Sequence, residues 1–569
     1  MKQNLLLLFY CLATGACAQQ IVGVNGIVDP YHYKQVKQQR FTHAAVASAH
    51  PLASQVGAAI LQQGGNAFDA AIAVQLTLAV VYPGAGNIGG GGFLLARTAG
   101  GKNLAIDYRE TAPAAASRDM YLDSNGNANT HLSQNGHLAA GVPGTVAGLF
   151  ALLPYARLPF QRLIQPAIDL ATHGFAITEA EARGFNESKA AFEQYNTAPI
   201  AFVRPQPWKA GDTLYQPDLA RTLVRIREAG AKGFYEGETA RLLVAEMQRG
   251  HGALTLADLK QYKAKVREAL SFTYRGYEIM GFPPPSSGGI LLAQMLKMIE
   301  PYPIGQYNFL SARMVQLMTE AERRAYADRA EHLGDPDFYR VPVATLLSSA
   351  YLRQRMADYD STKATPSRQI KAGNAKESDE TTHISIADRD GNVVAITTTL
   401  NGHYGSKTVV GGAGFLLNNE MDDFSIKPGV PNMYGAVGGE ANAIQPGKRM
   451  LSSMAPTLVL RSGKPVIVAG TPGGTTIPTS VFQTIVDMID FRMSPANAIR
   501  QPKFHHQWQP DEVFTEIDFP PATTKALQAM GYTVTTARQI GRMEIIRLNA
   551  DGSREAAADT RGDDSVAGW

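Results

Sequence analysis

Residues 66–81 place the first constraint on how this chain can fold. Asn66 is positioned to cap a helix running to Val81, with Asp69 in its first turn. Nearly every position of that helix is apolar, with Gln75 as the interruption. A helix that is apolar all round must be covered on every side, so the pattern predicts a buried central element. It is too short and too well capped to span a bilayer. A helix over Leu52–Gln63, ended by Gly64 and Gly65, precedes it, and Pro83 stops it. The glycine-rich loop 84–92 then leads into an apolar strand, Phe93–Ala96.

A buried helix needs a large core, and the 569 residues with 45% hydrophobic content can supply one. At roughly 150 residues per domain the length suggests three or four domains or one large layered body. The net charge of +3 on so large a chain, with no Lys/Arg run, gives no field for nucleic acid. Two cysteines cannot form a zinc or iron–sulfur cluster. Both, Cys11 and Cys17, fall in the first twenty residues. There a basic start (Lys2), a short apolar run and a small-residue stretch ending at Ala18 read as a signal peptide, residues 1–18. Cleavage after Ala18 leaves a cysteine-free protein suited to a periplasmic or secreted location. Lipidation at Cys17 is the alternative, with Thr14 in place of the usual Leu.

From about 145 to 365 helical patterns dominate, among them Leu219–Glu228 and Met314–Ala330. Residues 356–380 are polar and without apolar period, which predicts an exposed, mobile linker. From Thr381 the chain changes to short β-branched strands: Thr382–Ala387, Val393–Thr399, Val459–Leu460, Val466–Ala469 and Glu544–Leu548.

The first two of these flank a five-residue turn, Asp388–Asn392, with Gly391 after Asp390. A turn centred on residue 390 sets Thr381 opposite Thr399, with Asn401 just past the strand end. Paired threonines are ordinary strand chemistry, their Cβ atoms roughly 5 Å apart. The position directly after a polar linker singles this pair out. A cut between Glu380 and Thr381 would put a hydroxyl and a free amine on one residue. A terminal amine titrates near 8 and can serve as general base for its own hydroxyl.

Several segments are similar to signatures of the γ-glutamyltranspeptidase family. They are Thr381–His383 (TTH), Thr398–Asn401 (T-x-L-N), Asn418–Phe424 (NNEMDDF), Leu451–Pro456 (LSSMAP) and Thr471–Gly474 (TPGG). Upstream, Asn66–Ala71, Asn87–Phe93, Asp107–Pro113 (DYRETAP), Gly141–Gly144 and Pro284–Gly289 also resemble it. The resemblance implies an α/β (α+β) fold, a four-layer αββα sandwich of the N-terminal-nucleophile hydrolase type. It implies one composite domain from a self-cleaving precursor, with a large subunit 19–380 and a small subunit 381–569 that stay together as a heterodimer.

By the same resemblance Thr381 is the nucleophile and Thr399 its hydrogen-bonding partner. Gly473 and Gly474 offer backbone N–H groups to an oxyanion. A zwitterionic γ-glutamyl head needs one clamp of each sign: Arg109, Ser452 and Ser453 for its carboxylate, Asn401, Glu420 and Asp423 for its ammonium. Family members carry Glu or Gln at the position of Glu420. Residues 428–439 resemble the lid loop of some members, and Tyr434 would then shield the pocket.

The implied activity is transfer of a γ-glutamyl group from glutathione or a similar amide to water, an amino acid or a dipeptide, without a cofactor. Two alternatives stand beside it: a glutaryl/cephalosporin-type acylase of the same family, and a non-catalytic γ-glutamyl-binding protein. Other motifs point nowhere else. The glycines at 89–92 lack a following Gly-Lys-Ser/Thr and read as a packing device near the site. His505 and His506 have no metal-ligand spacing, so no metal is assigned, and no Gly-x-Ser-x-Gly occurs.

Overall fold

The computed structural model describes residues 28–370, 381–537 and 539–569. The signal-peptide and Cys17 readings, and the residues 371–380 with Glu380, lie outside the described residues.

Two seven-stranded antiparallel sheets face each other. In one, the strand order is 565–568, 45–48, 382–387, 393–399, 91–97, 103–107 and 265–267. In the other it is 38–41, 554–558, 544–548, 464–470, 457–461, 277–281 and 270–274. Strand alternation builds the layers. Ile384, Ile386, Val394 and Ile396 turn outward into a core formed with the helices Pro51–Gln62 and Ala67–Val81. Ala387, Val393 and Ala395 turn inward and share a second core with Leu458, Val459 and Val468 of the facing sheet. Beyond that sheet pack the helices Gly288–Ile299, Ala312–His332 and Thr476–Ile489. The result is the expected αββα sandwich.

The apolar helix begins and ends where the sequence indicated. The Asn66 side chain accepts from the Phe68 and Asp69 amides, and Asp69 returns a carboxylate to the Asn66 amide at 2.8 Å. Such a reciprocal cap satisfies two otherwise orphaned donors. Every residue of the helix is buried. The strands near 459 and 466 are longer than their β-branched centres, reaching Thr457–Arg461 and Lys464–Gly470.

The linker expectation needs correction over 356–370. Thr365, Ser367 and Ile370 are buried. The Thr365 amide donates to Glu320 (3.2 Å) and the Ser367 amide to Asp511 (2.7 Å). The Trp508 indole donates to the Ile370 carbonyl at 2.6 Å. Polar composition here reflects hydrogen bonds to partners distant in sequence, Glu320 and Trp508 buried and Asp511 exposed, rather than freedom from them.

Phe93 is fully buried between the sheets, its ring 4.4 Å from that of Phe282. Phe93→Ala should cost about 3–5 kcal/mol through lost burial and a cavity, read as a lowered thermal unfolding midpoint. An unchanged midpoint would show that the inter-sheet core repacks freely.

Candidate active site

The central hairpin pairs Thr382 with Thr398 and Ala387 with Val393. That is the register read from the turn, and its continuation sets Thr381 opposite Thr399. Both threonines are buried and line one cavity. Thr399 accepts from the Asn401 amide at 2.8 Å. Asn401 has φ of +75°, so the chain leaves the strand in a tight turn there.

The glycine cluster lies directly behind this strand end. A Cβ on Gly90 would meet the Thr399 carbonyl at 2.1 Å. Residues 91–92 continue as the neighbouring strand, Gly91 opposite Thr399. Glycine is required here because two backbones approach too closely for a side chain.

Arg109 follows the strand Asn103–Asp107 and is only 1% exposed. Its guanidinium meets Glu420 at 2.8 Å and Asp423 at 2.5 Å. These two acids lie at the ends of a single 3₁₀ turn, Glu420–Asp423. Residues three apart on a 3₁₀ helix project from the same face, so one guanidinium can meet both. Their neighbours secure the segment instead. Asn418 accepts from the Gly141 amide and donates to the Gly89 carbonyl, and Asn419 accepts from the Gly402 amide. Asp422 accepts from the Met433 amide at 2.7 Å.

Burial opposes the Arg109 charge, but Glu420, Asp423 and Glu110 outweigh it and hold the guanidinium protonated. Burial pushes Glu420 well above the ordinary carboxyl range against the pull of Arg109. It raises Glu110 to about 8. Asp423 is raised by burial too, with Arg109 again opposing.

Ser452 and Ser453 border the same cavity. The Met454 amide donates to the Ser452 hydroxyl at 3.1 Å, which leaves that hydroxyl's own proton for another acceptor. Gly473 (φ +135°) and Gly474 (φ +50°) lie between the strand 464–470 and the helix Thr476–Ile489. Their carbonyls accept from Thr476 and Ile477. Among the described residues neither glycine amide donates to a backbone carbonyl.

The loop 428–439 closes over these groups. Tyr434 is 4% exposed, and its hydroxyl donates to the Asn401 carbonyl at 2.5 Å. A Cβ on Gly474 would lie 2.4 Å from the Tyr434 ring. Asn432 donates to Asp423 at 2.8 Å, and Gln507 donates to the Tyr434 carbonyl at 3.3 Å. With the lid down, the cavity holds about 20 Å³, room for roughly one water.

Thr381, Thr399, Arg109, Asn401, Asp423, Tyr434, Ser452, Ser453 and Gly474 therefore border one cavity, with Glu420 against Arg109 and Gly473 beside Gly474, while Glu380 lies outside the described residues. Arg329, Asn432 and Glu110 were not foreseen. Arg329 shares its helix with Arg323 and Arg324, and nothing in the pattern separates the three. A far larger concavity, about 1310 Å³, is lined by the turns at 97–101, 390–391 and 461–464, at the opposite end of the strands from Thr381. Size therefore does not mark the reactive site here.

Comparison with known proteins bears on this arrangement. The profile of the gamma-glutamyltranspeptidase family matches residues 53–569. The chain is 47% identical to a glutathione hydrolase proenzyme of Escherichia coli over 547 residues, covering 95% of this chain and 93% of the relative. Its fold matches a cephalosporin acylase from Bacillus halodurans with a TM-score of 0.82 and 26% identity, covering 95% and 98% of the two chains. It also matches a Helicobacter pylori gamma-glutamyltranspeptidase chain at 43% identity and a TM-score of 0.56, covering 57% of this chain and 94% of that one.

The docked lid is testable by itself. Tyr434→Ala removes the ring on Gly474 and the bond to Asn401, so limited proteolysis within 428–439 should accelerate several-fold while the rest of the chain resists. Unchanged cleavage would mean that other contacts hold the loop.

Proposed function

The chain belongs to the γ-glutamyltranspeptidase family, and on that premise we propose that it is an exported, self-processing γ-glutamyltransferase and glutathione hydrolase. Residues 1–18 direct export and are removed. The precursor cleaves itself between Glu380 and Thr381 into a large subunit, 19–380, and a small subunit, 381–569. Before the cut the Thr381 nitrogen is an amide and takes no proton. Afterwards it is an amine able to accept the proton of its own hydroxyl.

Thr381 Oγ1 attacks the γ-carbonyl carbon, helped by Thr399. The Gly473 and Gly474 amides donate to the developing oxyanion. The amine half leaves with the proton taken from Thr381, and a γ-glutamyl ester remains on Oγ1. Water or the amine of an amino acid or dipeptide breaks that ester and restores the hydroxyl.

The observation that carries this reading is the charge pattern beside Thr381: Arg109, which lines its cavity, is paired with two carboxylates, Glu420 and Asp423. A zwitterion matches it by exchange. Its carboxylate replaces Glu420 and Asp423 on Arg109, and its ammonium occupies the freed acids and Asn401. The likeness to a cephalosporin acylase supports a second reading, a glutaryl-type acylase. A glutaryl group has no ammonium for Asn401, Glu420 and Asp423, which favours the first.

Wild-type protein should run as two bands on a denaturing gel and hydrolyse a γ-glutamyl anilide, faster with an acceptor dipeptide present. Thr381→Ala should stay a single chain without activity. A wild type that stays full length, indistinguishable from Thr381→Ala, would leave only the binding-protein reading. Faster turnover of a glutaryl anilide than of the γ-glutamyl one would favour the acylase.

Glu420 adds a pH signature. Because burial raises its carboxyl pKa, the acid is neutral at low pH and becomes charged as pH rises. Ammonium binding therefore strengthens in that direction, and KM for the γ-glutamyl substrate should fall as pH rises through the raised titration of Glu420. Glu420→Gln still accepts from an ammonium but does not titrate. It should retain kcat within about tenfold and flatten this slope relative to wild type. An identical slope in the variant would assign the titration elsewhere.

A further inference from the structure

Arg329 is a second guanidinium in the cavity of Thr381, and its surroundings differ from those of Arg109. It is 7% exposed and projects from the helix Ala312–His332. Among the described residues no carboxylate lies within ion-pair distance of it, whereas Arg323 and Arg324 on the same helix both pair with Glu320. Its hydrogen bonds go to two hydroxyls: Nε donates to Ser287 at 3.2 Å, and a terminal nitrogen donates to Ser453 at 3.2 Å. Burial works against its charge, with Tyr326 and Asp423 only partly opposing. A buried guanidinium without a counter-ion is costly, and an anion entering the cavity relieves that cost.

The hydroxyls show which kind of anion. A hydroxyl that accepts from a guanidinium has its own proton left for another acceptor. Ser287 spends that proton on the Ser452 carbonyl at 2.7 Å, within the protein. Ser453 borders the cavity and is thereby polarised to donate into it. Ser452, accepting from the Met454 amide, is polarised in the same sense. A pair of hydroxyl donors backed by a cation suits a carboxylate and repels an ammonium.

We propose that Arg329 is a positioning and specificity-determining residue for the substrate α-carboxylate. It acts through Ser453 and completes, together with Arg109, the charge balance of the bound head group. Arg109 gives up two carboxylates when substrate enters, while Arg329 has none to give up. Arg329 therefore supplies charge selectivity that the empty site has not already neutralised. This inference rests on the γ-glutamyl reading above.

The test compares three anilides: γ-glutamyl, 4-aminobutyryl (no α-carboxylate) and glutaryl (carboxylate without the ammonium). Arg329→Gln should raise KM at least tenfold for the two carboxylate-bearing substrates and change kcat by no more than a few-fold. It should leave kcat/KM for the 4-aminobutyryl anilide unchanged or higher. Arg329→Lys should recover part of the preference. An equal loss on all three substrates would overturn the proposal and make Arg329 a structural residue. Two-band processing on a gel reports whether the variant folds. If Arg329→Gln does not process, Arg329→Lys and Ser453→Ala carry the comparison, and the same substrate ratio decides it. A wild type inactive on γ-glutamyl anilide would instead count against the function itself.

Discussion

The structure depends on the placement of one hairpin at the centre of a sheet. Strand 382–387 is bonded on its outer side to 45–48, and strand 393–399 to 91–97. Register is therefore fixed from both sides, and a one-residue slip would turn every inward side chain outward. The register places Thr381 and Thr399 at the strand end, beside Gly90 and Gly91, where nothing larger than glycine fits. Both sheets contain strands from before and after residue 381. A backbone cut ahead of Thr381 would consequently leave two chains woven through the same two cores.

Around that strand end Arg109 is paired within the protein, while Arg329 meets only hydroxyls. Arg109 is held by Glu420 and Asp423, and those acids are kept buried by Arg109. Removing either sign alone would strand the other in a dry site, which costs far more than the pair contributes. A zwitterion avoids that penalty because it brings one charge of each sign and replaces ion pairs with ion pairs. An anion or cation alone makes only half of that exchange at Arg109. The lid adds to this, since Asn432 and Tyr434 bond to Asp423 and Asn401, two of the groups that would receive the ammonium. Lid position and head-group binding share the same atoms.

Much of this was legible from local pattern. The turn centre at residue 390 set the hairpin register, and Asn66 with Asp69 announced the helix start. The glycine run at 89–92 read as a packing device near the site, whereas the roles of Glu420 and Asp423 came from the family resemblance of 418–424. What escaped depends on contacts between residues far apart in the chain. Arg323, Arg324 and Arg329 occupy one helix, and only packing shows that Glu320 serves the first two. Residues 356–370 look like a free linker because their partners, Glu320, Asp511 and Trp508, are remote in sequence. The family resemblance pointed to the lid, but the seat of Tyr434 against Gly474 is a tertiary contact that its Pro/Gly composition does not show.

The central claim is that Thr381, as the first residue of its own chain, forms the covalent bond to substrate. Intact-mass and peptide mass spectrometry of protein acid-quenched during turnover of a γ-glutamyl substrate tests it most directly. A chain beginning at Thr381 should gain the mass of one γ-glutamyl group, located on its first peptide. Turnover with the adduct on any other residue, or by a chain still continuous through Glu380, would contradict it.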